Sequence, residues 1–240
     1  MRQADGIIPK LAIIVLKDDP VIDKYTALKK QYGEDILVET EIYKIEQQNA
    51  PDLIKKLNED PDTQAIIVQL PIKNPGKTDE IVNLIKPEKD VDGLGKNAKF
   101  DCATPMAVLW LLAAYNIELE AKSVVVIGQG RLVGAPLTKM LRASGIEPNI
   151  IDIDTKNRKE ILKSAEVIIS AVGHPGIITS DMIPKNCVVI DVATANEGTE
   201  IKGDLDDDVY EREDLKVTPK IGGVGPLTIS ALFDNVIKAF

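Results

Sequence analysis

The chain contains little of what builds metal centres and disulfide frameworks. Among 240 residues it has one histidine and two cysteines. Cys102 and Cys187 lie far apart and lack the spacing of a zinc site or a disulfide scaffold, so we expect two buried thiols and no metal site. No apolar run approaches the length that spans a bilayer, and the segment MRQADGIIPK lacks the pattern of a signal peptide. We therefore expect a cytoplasmic protein that makes no contact with membranes.

Positive charge is also scarce. The chain has 29 lysine and arginine residues against 38 aspartate and glutamate residues, a net charge of −9, and its pI is about 4.8. Nucleic-acid binding needs a basic surface that this composition does not supply, so we expect small-molecule partners and no nucleic acid. The hydrophobic content of 44% is enough for two modest cores in a chain of this length, which favours two lobes.

Short apolar runs alternate with helical segments, which is typical of parallel sheets covered by helices. In the first lobe we predict strands over residues 10–16, 36–43 and 64–71. The helix after the first strand has Asp19 as its cap, Pro20 in its first turn and Gly33 just past its end. The apolar segment 104–116 predicts a helix that is buried on all sides.

Several polar residues of the first lobe fall where α/β proteins bind ligands. Tyr25 and Lys29 lie one helical turn apart and share a face. Gln69 lies near the carboxyl end of the third predicted strand, the edge at which open α/β sheets bind ligands. The loop PEKDVDGLG adds Asp90 and Asp92, and loops on rigid scaffolds often carry function.

In the second lobe, five apolar runs predict a doubly wound parallel sheet. The predicted strands cover residues 122–128, 149–154, 165–173, 186–193 and 217–219. The first of them runs into a GxGxxxG pattern. In a dinucleotide-binding turn, Gly128 permits the tight bend, Gly130 lets the backbone approach a pyrophosphate at the helix N-terminus, and Gly134 lets the helix pack on the strand. The alternative is a plain turn whose glycines serve only packing.

Eight short motifs occur in one order along the chain: YTALK, VQLP, PEKDVDG, ATP, SAVGHPG, VVIDV, GDLD and PKIGGVGPLT. The series resembles the bifunctional methylenetetrahydrofolate dehydrogenase/methenyltetrahydrofolate cyclohydrolase family from about Lys10 to the C-terminus. The resemblance implies a two-lobed α/β protein. Residues 1–117 and 226–240 would form a folate-binding catalytic domain, and residues 118–225 a Rossmann-like, doubly wound NAD(P)-binding domain.

The same resemblance implies the reaction and the partners. The expected activity is oxidation of 5,10-methylenetetrahydrofolate to the methenyl compound with NADP, followed by hydrolysis to 10-formyltetrahydrofolate. Tetrahydrofolate derivatives are the implied substrates, and the implied assembly is a homodimer. The last helix is expected to return to the first lobe.

The resemblance also assigns roles to four residues of the first lobe. Lys29 matches the family's catalytic lysine, and Gln69 matches the residue that orients it by a hydrogen bond. Tyr25 matches the ring that packs on the pterin or the adjoining aryl ring, and Asp92 matches the carboxylate that accepts hydrogen bonds from the pterin. Without the family, Lys29 reads as a solvated surface lysine and Tyr25 as a half-buried core residue. Asp92 then reads as a turn aspartate, which is the role we expect for Asp90.

Seven further residues are assigned to the cofactor by the resemblance: Gly128, Gln129, Gly130, Thr155, Gly173, His174 and Thr194. The first three form the pyrophosphate loop, and Thr194 contacts the nicotinamide end. We expect His174 to be a loop residue near the cofactor and not an acid or base.

The choice between NADP and NAD depends on the residues that follow the second strand of this lobe. Family members that use NADP often present histidine, arginine or serine there, whereas this chain has Asp152, Asp154 and Thr155. A carboxylate at this place can bond the ribose hydroxyls of NAD and repel a 2′-phosphate. Nearby cations, Lys156 and Arg158 among them, can neutralise that charge. We predict NADP, as in the family, and leave NAD open.

Three other functions stay open. A monofunctional NAD(P)-dependent dehydrogenase would lack the cyclohydrolase activity, although the presence of Lys29 argues against it. Another two-lobed dehydrogenase, acting on a shikimate-like hydroxy acid, would need its lysine and aspartate in different motifs from KDVDG and GGVGPLT. A non-catalytic, dinucleotide-binding regulatory module would be supported if replacement of Lys29 changed nothing measurable.

Overall fold

A computed structural model describes residues 8–193, 195–197 and 200–240. The chain forms two compact units. The first contains the described residues up to Ala103 together with Ile229–Phe240, and the second is Thr104–Thr228. Compared with the division expected from the sequence, the segments 104–117 and 226–228 fall in the second unit instead of the first. Among the described residues, no helix is both long enough and apolar enough to cross a membrane.

The first unit is built on a parallel three-stranded sheet. Its elements are β1 (Lys10–Val15), α1 (Pro20–Asp35), β2 (Glu39–Lys44), α2 (Ala50–Glu59), β3 (Ala65–Gln69) and α3 (Thr78–Val82). The strand order is β2-β1-β3, and the central strand β1 is almost fully buried because it has a neighbour on each side. The three predicted strands are present, but β2 begins at Glu39 and not at residue 36. Leu37 has a φ of 60°, so the chain turns there before it can extend.

The first helix begins as the sequence predicts and ends later. The carboxylate of Asp19 accepts the N–H of the second helical residue at 3.0 Å, and Pro20 is the first helical residue. The prediction that Gly33 lies past the helix end is wrong, because α1 continues to Asp35. Gly33 is there for packing, since a Cβ at this position would overlap Oγ1 of Thr40 on β2.

The second unit is built on a parallel five-stranded sheet, as predicted. Its elements are α4 (Ala103–Ala114), β4 (Val124–Ile127), α5 (Gly134–Ala143), β5 (Asn149–Ile151), α6 (Arg158–Lys163), β6 (Val167–Ser170), β7 (Val188–Asp191), β8 (Ala195–Glu197), β9 (Glu200–Lys202), α7 (Asp207–Tyr210), β10 (Lys216–Val217) and α8 (Val224–Ala239), which continues into the first unit. The strand order is β10-β7-β6-β4-β5. This is a doubly wound sheet whose order reverses between β4 and β6. The antiparallel pair β8–β9 was not predicted.

Helix α4 differs from the prediction. Its first half is buried, but Trp110 is 38% exposed, and Tyr115, just past the helix end, is 72% exposed. The prediction of a helix buried on all sides is therefore wrong for the second half, where Leu112 is buried and the opposite face meets solvent. Apolar composition all round a helix does not show which face will be covered.

Both cysteines are free and buried, as predicted. The thiol of Cys102 donates to the carbonyl of Gly93 at 2.9 Å. Burial raises the pKa of Cys187 to about 12, so this thiol stays protonated at neutral pH. Within the described ranges, no three His, Cys, Asp or Glu side chains are grouped so that they could hold a metal ion.

Candidate active site and cofactor site

Lys29 and Gln69 meet at the carboxyl end of β3. Helix α1 carries Lys29, and Gln69 is the last residue of the strand. Nζ of Lys29 donates to Oε1 of Gln69 at 2.8 Å, while Nε2 of Gln69 donates to the main-chain carbonyl of Leu70 at 3.0 Å. Because the amide nitrogen is held by its own backbone, the amide oxygen is left facing the lysine. The structure thus brings together two residues that the sequence analysis paired.

The environment of Lys29 changes its affinity for protons. Burial lowers the pKa of Lys29 from its ordinary value, and the negative charge of Asp92 acts in the opposite direction. Burial likewise raises the pKa of Asp92, and the charge of Lys29 opposes that shift. A lysine in this setting loses its proton more readily than a surface lysine, as a group that moves protons near neutral pH must do.

The loop that carries Asp92 is fixed by its neighbour Asp90. The carboxylate of Asp90 is 2% exposed and accepts the N–H of Gly93 at 3.2 Å and the N–H of Gly95 at 2.7 Å. Gly93 has a φ of 70°, a conformation that glycine adopts without strain. Asp90 is therefore the turn aspartate of this loop, the role we expected for it, and its bonds determine where Asp92 lies.

A second support for this loop was missed by the sequence analysis. The amide of Asn235, on α8, donates to the main-chain carbonyls of Val91 and Asp101, both at 2.9 Å. Asn235 is 2% exposed. Its only sequence signal is a polar residue within the apolar run of the last helix, and its partners lie more than 130 residues away.

Tyr25 lies one turn before Lys29 on α1 and is partly buried. Its hydroxyl forms no hydrogen bond with any residue that the structure describes. A core tyrosine normally has a satisfied hydroxyl. Tyr25 therefore does not have the satisfied hydroxyl of the core tyrosine that we considered as its alternative, and its role at the ligand stays a prediction.

The glycine loop after β4 has the conformation expected of a phosphate-binding turn. Gly128 has a φ of 87°, and a Cβ on it would lie 2.7 Å from the carbonyl oxygen of Ala171. A Cβ on Gly134 would overlap the carbonyl oxygen of Gly128, so the helix can approach the strand only with glycine there. A Cβ on Gly130 would meet nothing within 4 Å. The first and third glycines thus serve the fold, and the second leaves open space beside the backbone.

The side chain of Gln129 turns back to the protein. Its Nε2 donates to the carbonyl of Gly128 at 3.0 Å and to Oγ1 of Thr138 on α5 at 3.1 Å. Any contact of Gln129 with a phosphate would therefore come from its main-chain N–H.

The loop that carries Gly173 and His174 is held by one buried carboxylate. Asp204 is fully buried, and it accepts hydrogen bonds from Oγ of Ser170 and from the main-chain N–H groups of Val172, Gly173 and His174 at 2.6–2.8 Å. Asp204 lies in the motif GDLD, and the sequence alone assigned it no role.

An apolar cavity of about 360 Å³ opens beside Gly128. Its polar lining residues are Asp152, Arg158 and His174, and the rest of the lining is largely isoleucine, leucine, valine and methionine. Thr155 does not bond outward, because its hydroxyl donates to Oδ1 of Asp152 at 2.8 Å. The predicted strand 149–154 ends at residue 151 because this turn follows it. Thr194 lies outside the described residues.

These features fit a dinucleotide. The glycine loop after β4 and the Gly173 loop after β6 lie at the reversal of the strand order, which is where doubly wound sheets bind nucleotides. Open space at Gly130 leaves room for a pyrophosphate, and an apolar cavity next to it suits a purine base.

A Rossmann-like unit with this site, together with an α/β unit that carries a lysine with a lowered pKa, defines a two-domain, nicotinamide-dependent dehydrogenase. Residues 1–92 match the model of the catalytic domain of tetrahydrofolate dehydrogenase/cyclohydrolase, and residues 102–240 match the model of its NAD(P)-binding domain. The chain belongs to the tetrahydrofolate dehydrogenase/cyclohydrolase family. The family, the two-domain α/β fold, the class of enzyme and the NAD(P)-binding domain that the sequence predicted are thereby confirmed.

Individual relatives agree over nearly the whole chain. The bifunctional protein FolD of Staphylococcus saprophyticus is 35% identical over an alignment of 251 positions, which spans 99% of this chain and 88% of that protein. The structure of the bifunctional FolD enzyme from Campylobacter jejuni superposes with a TM-score of 0.91 at 34% identity, covering 99% of this chain and 89% of the other. The Trypanosoma brucei enzyme, whose structure was solved with NADP and an inhibitor, gives a TM-score of 0.90 at 27% identity, with 99% and 88% covered.

Proposed function

We propose that the protein oxidises 5,10-methylenetetrahydrofolate to 5,10-methenyltetrahydrofolate with NADP and hydrolyses the product to 10-formyltetrahydrofolate. Membership of the family supports both activities. The observation that carries the proposal for this chain is the hydrogen bond between Lys29 and Gln69 at a lysine whose pKa is lowered by burial. When bound, NADP supplies the hydride acceptor of the first step.

The residues of the first unit serve the second step. Water adds to the methenyl carbon and gives up a proton, the carbon–nitrogen bond of the ring breaks, and the leaving nitrogen takes up a proton. Neutral Lys29 accepts one proton from the attacking water and returns it to the leaving nitrogen. The remaining hydroxyl proton goes to solvent as the formyl C=O forms, so the cationic substrate becomes a neutral product with release of one proton. Gln69 orients the amine, Tyr25 packs on the folate ring system, and Asp92 accepts hydrogen bonds from the pterin.

The residues of the second unit hold the cofactor. The main-chain N–H groups of Gln129 and Gly130 face the pyrophosphate at the start of α5, whereas the N–H of Gly128 donates to the carbonyl of Ile151. Gly173 and His174 line the adjoining loop, which Asp204 keeps in place. Thr155 supports Asp152 beside the adenosine end, and Thr194 contacts the nicotinamide end.

The resemblance also supports a homodimer that is located in the cytoplasm. Its reactions belong to one-carbon metabolism, and its product supplies purine biosynthesis. The assembly is tested by the molar mass of the purified protein in solution. A mass of twice 26.2 kDa supports the dimer, and a mass of one chain contradicts it.

The first experiment mixes the purified protein with 5,10-methylenetetrahydrofolate and adds NADP or NAD in separate reactions. Reduced nicotinamide and the methenyl intermediate are followed together. We expect reduction of NADP without accumulation of the methenyl compound. Accumulation of that compound would indicate the monofunctional dehydrogenase, and reduction of neither cofactor by folded protein would favour the regulatory module.

The second experiment tests Lys29 with its neighbour as the control. Lys29→Ala should abolish hydrolysis of added methenyltetrahydrofolate, with a loss of at least about 100-fold, because it removes the group that moves the proton. Lys30→Ala removes an exposed lysine from the next position of the same helix and should retain the activity. Equal activities of the two variants would refute the role of Lys29.

A further inference from the structure

Helix α8 contacts both the helix that carries Lys29 and the loop that carries Asp92. On the side of α1, the hydroxyl of Tyr32 donates to Oγ of Ser230 at 3.1 Å, and the ring centroids of Tyr32 and Phe233 lie 5.2 Å apart. Phe233 is 1% exposed. Because Tyr32 follows Lys29 by about one helical turn, α8 packs against the same stretch of α1 that carries the lysine.

On the side of the loop, Asn235 ties the two ends together. Its Nδ2 donates one hydrogen to the main-chain carbonyl of Val91 and the other to the main-chain carbonyl of Asp101, both at 2.9 Å. Val91 directly precedes Asp92, and Asp101 stands at the far end of the loop. One side chain of α8 therefore holds the start and the end of the loop at a single point.

The two ends of the loop also contact each other. A Cβ at Gly93 would lie 2.6 Å from the carbonyl oxygen of Phe100 and 2.8 Å from the main-chain nitrogen of Cys102. The thiol of Cys102 donates to the carbonyl of Gly93 at 2.9 Å. The ends thus form one packed unit, and the amide of Asn235 is a hydrogen-bonded link from this unit to α8.

The packing of α8 does not require an amide at this position. The neighbouring residues Leu232, Phe233 and Val236 are apolar and almost fully buried, so an apolar side chain would suit the same surroundings. Burial of an amide costs free energy unless its hydrogen bonds are made, and Asn235 makes them with the loop of Asp92. The polar side chain therefore serves the loop and not the core.

The position of this loop matters to the protons of the site. Burial lowers the pKa of Lys29 and the charge of Asp92 opposes this, while burial raises the pKa of Asp92 and the charge of Lys29 opposes that. Burial also raises the pKa of Asp90 in the same loop, and the charge of Asp92 adds to the rise. Because the interaction of two charges depends on their distance, a shift of the loop relative to α1 changes the proton affinity of Lys29.

We propose that Asn235 is a positioning residue for the hydrolytic step, which fixes the distance between Asp92 and Lys29 by joining the Asp92 loop to the helix that packs on α1. Asn235 acts through Asp92 and not on the substrate. This inference rests on the proposed function, because it requires that Lys29 move the proton and that Asp92 bind the folate. Loss of the amide should therefore change how Lys29 titrates and how tightly the folate binds, in addition to any loss of stability.

The test compares two variants of α8 in the hydrolysis of methenyltetrahydrofolate at a series of pH values. Asn235→Leu keeps about the same side-chain size and removes both hydrogen bonds. It should move the rising limb of kcat to lower pH by at least about 0.5 pH unit, because the charge of Asp92 no longer acts from the same distance. Its KM should rise several-fold, because Asp92 is no longer held where it binds the folate.

Val236→Ala is the matched control, because it removes buried packing from the next residue of the same helix and leaves the amide in place. It should lower stability and keep both the limb and KM of the wild type. In the Asp92→Asn background, Asn235→Leu should move the limb no further, because the charge through which it acts is absent. Faster hydrogen exchange of residues 91–102 in Asn235→Leu, followed by mass spectrometry, is the expected sign that the loop is no longer held.

The outcomes separate this inference from the proposed function. If the wild type does not hydrolyse methenyltetrahydrofolate, or Lys29→Ala hydrolyses it equally fast, the proposed function fails and the inference fails with it. If both checks are passed and Asn235→Leu keeps the wild-type limb and KM, or moves the limb to higher pH, Asn235 supports only the fold. An equal shift in Val236→Ala, or a further shift in the double variant, would also overturn the inference. Circular dichroism confirms folding, and Asn235→Ala replaces Asn235→Leu if the latter does not fold.

Discussion

Lys29 owes its altered proton affinity to its surroundings. Burial lowers its pKa, and the charge of Asp92 limits how far it falls. The amide of Gln69 adds an acceptor that holds the amine in one place. A lysine on an amphipathic helix is ordinarily solvated, so the local pattern around Lys29 pointed away from this role. Only the motif series of the whole chain indicated it.

The opposition between Lys29 and Asp92 leads to a prediction on pH dependence. If neutral Lys29 accepts the proton of water, kcat for methenyl hydrolysis rises with pH until the pKa of Lys29 is passed. Asp92→Asn removes the negative charge that raises this pKa, so the rising limb should move to lower pH. The measurement is kcat against pH at saturating substrate.

Asp35→Asn is the matched control for this experiment, because Asp35 is an exposed carboxylate on the same helix. It should leave the limb where it is in the wild type. A limb that moves to higher pH in Asp92→Asn, or does not move, would mean that Lys29 is not the titrating base.

At the scale of elements, alternation of apolar and polar runs predicted every strand of the two parallel sheets. The residues at which several strands begin or end differ from the prediction. β5 is shorter than predicted because the hydroxyl of Thr155 and the carboxylate of Asp152 form a turn. Gly33 was predicted to end the helix but lies inside α1. The helix can approach β2 closely at this position only because glycine has no side chain. Residues such as Asp204 and Asn235 bond to loops 30 or more residues away, and local sequence patterns do not carry that information.

Two substitutions in the glycine loop should have different effects on the free energy of unfolding and on the affinity for NADP. Gly134→Ala must move the helix away from the carbonyl of Gly128, and we expect a loss of about 1–3 kcal/mol in the free energy of unfolding. Gly130→Ala meets open space and should change this free energy by less than about 0.5 kcal/mol. It should nevertheless weaken NADP about tenfold or more, because its methyl group occupies the space left for the pyrophosphate.

Urea unfolding and calorimetric titration with NADP measure the two quantities. Trp110 is the only tryptophan and lies in the second unit, so its fluorescence reports on the unit that contains the loop. If Gly130→Ala binds NADP as tightly as the wild type, the pyrophosphate does not lie against this backbone.

At the scale of the whole molecule, the surplus of acidic residues includes two carboxylates that resist ionisation, Asp90, which is buried, and Asp191, which is partly buried. Burial raises the pKa of Asp90 in the first unit and of Asp191 in the second to about 6 each. Composition indicated two lobes and excluded a basic surface, but it could not show which carboxylates are buried. Asp191 is held by the N–H groups of Ala193 and Leu205 at 3.1 and 3.2 Å, and Gly203 packs against it.

Asp191 should make the stability of the second unit depend on pH. Its pKa is about 6 in the folded chain, against the ordinary aspartate value of 3.8, so between these values the folded state binds more protons than the unfolded state. The free energy of unfolding must then fall as pH rises through this window, by about 3 kcal/mol at most, and the stabilisation is fully present only below the unfolded pKa. Asp191→Asn stays neutral, so its profile between pH 4 and 7 should be flatter than that of the wild type, even if the amide lowers stability throughout.

Urea unfolding followed by Trp110 fluorescence tests this, with the exposed Asp154→Asn as the control whose profile should run parallel to the wild type. A profile of Asp191→Asn that also runs parallel would show that Asp191 ionises alike in the folded and unfolded chain, and that its burial does not govern its charge.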